Sequence, residues 1–197
     1  MADGAINHPY FPRDTHLPHY KPNITSIEEL LGLFFGLVAV LNVLLWLGTR
    51  GRCLGVRVKV CWFVTCGLIH SILEGGETCM VAMESITAWV DGPLCLLTAT
   101  AFLVPGMSGW RYVLQLAVSI CQLYGDTLYF STEILENFRH SEYGHPLHFW
   151  FYFFFLNMIW IVVPSLNIFD AVRKLVAVQR HVDSTNKSSG KPSKKRR

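Results

Sequence analysis

The stretch "GLIHSILEGGETCMVAMESITAW", residues 67–89, carries one histidine and three glutamates in an otherwise apolar neighbourhood. Of these, His70, Glu74 and Glu84 have the types and spacing for proton transfer. A carboxyl group in a dry site is pushed toward its neutral form and becomes a proton donor, while a neighbour held ionised accepts a proton. The set therefore suits general acid–base chemistry. One proton delivered and another removed would shift a double bond with no redox change and no cofactor. Such a shift passes through a carbocation, which an aromatic face such as that of Trp160 can stabilise.

Helical phase ties further polar residues to these. His70 and Glu74 are four apart, and Glu84, Thr87 and Asp91 follow an i, i+3, i+7 pattern. Gln115, Ser119, Gln122 and Asp126 follow i, i+4, i+7, i+11, and Asn157 and Trp160 are three apart. Four apolar segments thus each carry one polar stripe, which implies a polar-lined chamber inside a helical bundle. The plainer reading is interhelical hydrogen bonding, worth ~1 kcal/mol per contact or less. It covers the Gln115 to Asp126 stripe and Asn157 as well as a site does. For His70, Glu74 and Glu84 it falls short, because such contacts do not require ionisable groups. Phe149, Phe153, Asn157 and Trp160 lie broadly on one face, whose breadth suits a flat polycyclic ligand. Thr87, Asp126, Phe149 and Phe153 are expected to bind substrate.

The elements that must hold these residues follow from composition. With 51% hydrophobic residues, 16% charged and a mean hydropathy of +0.33, the chain departs from a soluble fold. The charges gather before residue 29, between Arg50 and Lys59, over 133–142 and after Asp170. A helix needs ~20 apolar residues to cross a bilayer. Spans are expected at about 30–48, 60–73, 79–104, 112–130 and 146–168. The expected fold is all-α, a polytopic membrane protein with a five-helix transmembrane bundle whose second span is shortened. Residues 1–27 form a lumenal N-terminal segment, 28–170 the transmembrane domain and 171–197 a cytosolic basic tail.

Orientation comes from the basic residues of short loops. Arg50, Arg52, Arg57 and Lys59 place the first loop in the cytosol, and the Lys/Arg-rich tail places the C-terminus there too. The tail "KSSGKPSKKRR" is low in complexity and is expected to be disordered. It reads as an anchor for anionic membrane lipids rather than a nucleic-acid patch. Its last four residues, Lys194 to Arg197, resemble a dilysine retrieval signal of the endoplasmic reticulum. No cleavable signal peptide is visible at the N-terminus. The six cysteines lack metal-type spacing and read as small packing residues. His140, Glu142, His145 and His148 invite a metal reading, but Pro146 interrupts regular helical presentation there, so no metal is expected. No nucleophile elbow, phosphate cradle or dinucleotide fingerprint is present.

Several blocks, in order along nearly the whole chain, resemble the emopamil-binding-protein family of sterol isomerases within the EXPERA-domain group. They are "NHPYFP", "CWFVTCGLIHSILEG", "MESITAW", "LQLAVSICQLYGDTLYF", "GHPLHFWFYFFFLNMIWIVVP" and "DAVRKL". The resemblance implies a five-helix bundle in the endoplasmic reticulum membrane, extending to the nuclear envelope, that forms a homodimer. It implies an enzyme of cholesterol biosynthesis that moves the Δ8 double bond of a sterol to Δ7 without a cofactor, and that also binds cationic amphiphilic drugs. Carried over by motif, the catalytic set is His70, Glu74, Glu84, Asn157 and Trp160. Glu74 and Glu84 would share the acid–base work with His70 tuning them, Trp160 would cover the cation, and Asn157 would orient a carboxylate. The alternative class is a non-catalytic membrane protein that binds sterols or cationic amphiphiles, or an inactive shortened isoform.

One departure from the family pattern stands out. The resemblance implies about thirty more residues between the motifs of Glu74 and Glu84. Here Val60 to Leu73 offers 14 residues, ~21 Å at 1.5 Å per residue, against a hydrocarbon core of ~30 Å. The "GG" at 75–76 marks the expected junction.

Overall fold

The computed structural model describes residues 26–70 and 85–189. All regular structure among them is helical. Helix α1 (Ile27–Gly48) opens on a capping box, in which the Glu29 amide donates to Ser26 Oγ and the Ser26 amide donates to Glu29 Oε2, both at 3.2 Å. The basic loop then turns the chain into α2 (Leu54–Ile69), which begins ahead of the Val60 expected from hydropathy. Asn42 Nδ2 of α1 donates to Thr65 Oγ1 of α2 at 2.8 Å and pins the two together.

After a π-helical turn, Thr87–Asp91, the chain continues as α3 (Gly92–Leu103). A short 3-10 turn over Pro105–Met107 leads to α4 (Arg111–Leu135), which outruns the expected span at both ends. Asn137 and Phe138 then adopt positive φ of 53° and 57°. Left-handed backbone costs ~1–2 kcal/mol at a non-glycine residue, and the Phe138 ring offsets it by packing on Tyr143, Phe149 and Phe153. A π-wound segment, Pro146–Leu156, runs directly into α5 (Asn157–Ser189). Here the sequence expectation needs correction. The helix does not stop with the apolar run at Ile168, and Lys187–Ser189 of the segment expected to be disordered are helical. The reason is that 171–189 contains neither glycine nor proline, so nothing breaks the helix before Gly190. Residues 190–197 lie outside the described residues.

The core is small and lies where α2, α3 and α4 meet, on Val60, Phe63, Cys66, Cys95, Ala99, Phe102 and Val118. Polar side chains are buried beside it and large apolar ones lie on the outside. Gln115, Ser119, Asp91 and Gln122 are buried, while Leu33, Leu37, Trp89, Phe155 and Leu166 are exposed. Pro146–Lys187 is long and apolar enough to cross a membrane, and shorter apolar helical stretches cover Gly32–Gly48 and Thr87–Leu103.

Gly67 sets the approach of α2 to α3. A Cβ there would meet Leu96 Cδ2 at 2.9 Å and the Gly92 carbonyl oxygen at 3.2 Å. The leucine can swing away, but the backbone oxygen cannot. Gly67→Leu is therefore expected to cost about 1–3 kcal/mol, measured as a lower midpoint of thermal unfolding in detergent; an unchanged midpoint would show that the helices have slack.

At the opposite end, Lys59 of α2 and Asp170 of α5 form an ion pair at 2.5 Å, which Gln115 Nε2 of α4 joins at 3.4 Å. Partial burial works to raise the Asp170 pKa, but hydrogen bonding and charge from Lys59, with help from Gln115 and Lys174, outweigh it and hold the carboxyl below its ordinary value. A carboxylate whose folded-state pKa is depressed adds stability above its unfolded value of about 3.9 and loses it as pH falls through the folded value. Asp170→Asn should thus lower stability at pH 7 and remove part of its decline below about pH 4. Parallel pH–stability curves for the two proteins would rule the pair out as a contributor.

Candidate functional site

The π turn of α3 and the cap of α2 place the site. Cys66, Cys95 and Gln122 form one layer of the bundle, since Gln122 Nε2 donates to Cys95 Sγ at 3.4 Å and Cys66 and Cys95 share the buried core. The helices contributing to that layer are antiparallel neighbours, as the Gly67 contacts with Gly92 and Leu96 and the short connection from α3 to α4 require. Four residues, about one turn, along each helix in the same direction stand His70, Asp91 and Asp126. Each of the three helices thus carries one ionisable residue about a turn beyond that layer.

Each of the three has a buried polar atom without a hydrogen-bond partner, namely His70 Nε2, Asp91 Oδ1 and Asp126 Oδ2. An unpaired buried polar group costs ~1–3 kcal/mol, so each of these calls for an explanation. Asp91 is only 4% exposed, and the buried Gln122 below it keeps an unpartnered Oε1.

The other expected residues fall into two groups. Glu74 and Glu84 lie outside the described residues. Thr87 opens the π turn and is half-buried. Phe149 and Phe153 are buried and stack on each other at 5.3 Å between ring centres. Phe130, Tyr129 and Phe138 surround Phe153, so this aromatic cluster covers the end of α4 beyond Asp126. Trp160 packs on Trp62 at 5.4 Å against the core, and Pro164, having no amide hydrogen, leaves the Trp160 carbonyl without its helical donor. Asn157 Nδ2 donates to the Phe153 carbonyl at 2.6 Å, holding the point where the π winding gives way to α. Asp91 was legible as a member of a polar stripe, but its isolation from partners appears only once three helices are packed.

The segment before α5 also departs from expectation. Glu142, His145 and His148 converge, with ligand-type atoms within 4.8 Å of one another. Pro146 does not keep them apart, because proline at the first position of a helix is readily accommodated. His145 Nδ1 accepts from the His148 amide at 3.1 Å, and His148 pairs with Glu142. His140, the fourth member, turns instead to Glu133 and Glu136.

Comparison with known proteins points one way. The family model described as EXPERA (EXPanded EBP superfamily) matches residues 68–171. The chain is similar to the 3-beta-hydroxysteroid-Delta(8),Delta(7)-isomerase of Cavia porcellus, 36% identical over 222 residues, covering 93% of this chain and 96% of the relative. It is similar also to the probable 3-beta-hydroxysteroid-Delta(8),Delta(7)-isomerase of Arabidopsis thaliana, 31% identical over 209 residues, 87% of this chain and 91% of the relative. An isomeliandiol synthase of Ailanthus altissima is 33% identical over 156 residues, 61% of this chain and 71% of the relative. Since 93% of a 197-residue chain is about 183 residues, about 39 of the 222 positions aligned with the Cavia porcellus relative have no residue of this chain opposite them.

Proposed function

The chain belongs to the EXPERA superfamily, and on that footing we propose that it is a sterol isomerase, moving a Δ8 double bond to Δ7. The observation that carries this reading is the 36% identity across nearly the whole chain to a protein named for that reaction. Polar residues buried beside the apolar core, beneath many exposed apolar ones, support it, because the substrate is a lipid and the chemistry needs ionisable groups. The exposed leucines and phenylalanines support a multi-pass protein in which they face lipid. The basic first loop and tail then favour a cytosolic C-terminus in the endoplasmic reticulum membrane. Cationic amphiphilic drugs would occupy the same chamber as mimics of the cation, and a homodimer is part of this reading.

In the reaction a carboxylic acid delivers a proton to carbon 9, the C8=C9 electron pair forms the new C–H bond, and carbon 8 is left positive. A carboxylate then removes a proton from carbon 7, and that C–H pair becomes the C7=C8 bond. Glu74 and Glu84 share these transfers, His70 tunes them, and Trp160 covers the cation. Protons balance and no cofactor is needed.

The internal shortening favours a second reading, a sterol or amphiphile binder without catalysis. One assay separates the two. Purified protein is given a Δ8 sterol in deuterated buffer, with Δ7 product and deuterium at carbon 9 expected. Saturable sterol binding with no product would leave only the binder.

A further inference from the structure

We infer that Asp91, supported by Gln122, is the subsite that receives the substrate's hydroxyl group. The inference rests on the isomerase reading for the identity of the substrate, but its geometry comes from the bundle alone. Asp91 is a carboxylate on the last residue of the π turn, 4% exposed, with Oδ1 buried and unpartnered. The wider winding of a π turn shifts the side chains that follow it relative to those before, a device common at functional sites. Gln122, equally buried, spends its amide nitrogen on Cys95 and leaves Oε1 as a second unpartnered acceptor.

Two buried acceptors in an apolar surround call for a hydrogen-bond donor. A 3-hydroxysterol offers one such donor, its hydroxyl, at one end of a hydrocarbon skeleton. The O–H would donate to Asp91 Oδ1. Glu84, the proposed acid–base group, precedes Asp91 by only seven residues in the sequence, so neighbouring stretches of the chain would serve the reacting double bond and the hydroxyl. A substrate held at both ends keeps its rings in register with the proton donor. Asp91 is thus a specificity-determining residue, and a site built to bond a hydroxyl rejects an analogue that lacks it, because its own buried groups are then left unpaired.

The test uses the full chain in lipid nanodiscs with two probes, a Δ8 3β-hydroxysterol and its 3-deoxy analogue. Binding and Δ7 product formation are both measured. The unmodified protein is expected to favour the hydroxysterol at least tenfold in affinity. Asp91→Leu should reduce that preference to less than threefold by weakening the hydroxysterol alone. If Asp91→Leu does not fold, Asp91→Asn decides, with the preference expected to fall at least threefold. A preference unchanged in the folded variant overturns the subsite. Discrimination that depends on Asp91 without any Δ7 product supports the subsite and defeats the isomerase reading. Turnover without discrimination does the reverse. Absence of saturable binding by either sterol overturns both.

Discussion

Glu84→Gln is expected to lower Δ7 product formation by at least 10²-fold while leaving sterol affinity within about threefold of the unmodified protein. Positioned general acid–base groups contribute ~10²–10⁴ in rate, and Gln keeps the volume and hydrogen-bonding reach of Glu without an ionisable group. A proton-transfer role affects turnover alone, whereas a positioning role would weaken binding as well. The comparison therefore needs both measurements on one preparation. Unchanged turnover removes Glu84 from the mechanism and leaves Glu74, with His70, as the proton-transfer pair.

Restoring the missing internal segment should have an effect of similar size in the opposite direction. Grafting the corresponding residues of the Cavia porcellus relative between Gly75 and Gly76 is expected to raise turnover at least tenfold and to raise the unfolding midpoint. Helix α2 offers 16 residues from Leu54 to Ile69, ~24 Å, where a bilayer core requires ~30 Å. The missing positions counted in the alignment with the relative lie between its ends, so they are internal to the chain. A longer α2 would place Glu74 within a continuous helix, one turn beyond His70 on the same face. Equal turnover with and without the graft would show that 197 residues already complete the site.

The two variants interrogate residues that the sequence marks but that the described structure does not include. Asp91 is the contrasting case. Its place in the i, i+3, i+7 stripe with Glu84 and Thr87 is readable from the sequence, yet nothing there distinguishes a satisfied interhelical contact from an orphaned acceptor. Asn157 shows the opposite outcome, for its side chain returns to its own helix at Phe153. Phe149 and Phe153, expected to face a ligand, pack on each other and on Phe138.

Helical content, family and the acid–base residue types were determined by sequence alone. Apolar runs of membrane length and polar residues at intervals of three and four are local properties of the chain, and motif order along it needs no fold to be read. Tertiary structure decided which polar groups have found partners. His70, Asp91 and Asp126 come from three different stretches of the chain, and only the packing of α2, α3 and α4 shows that each keeps a buried polar atom without a partner. It likewise decided that Glu142, His145 and His148 converge across Pro146. Hydrogen-bond satisfaction is a property of neighbours in space, so no periodicity in one helix can report it.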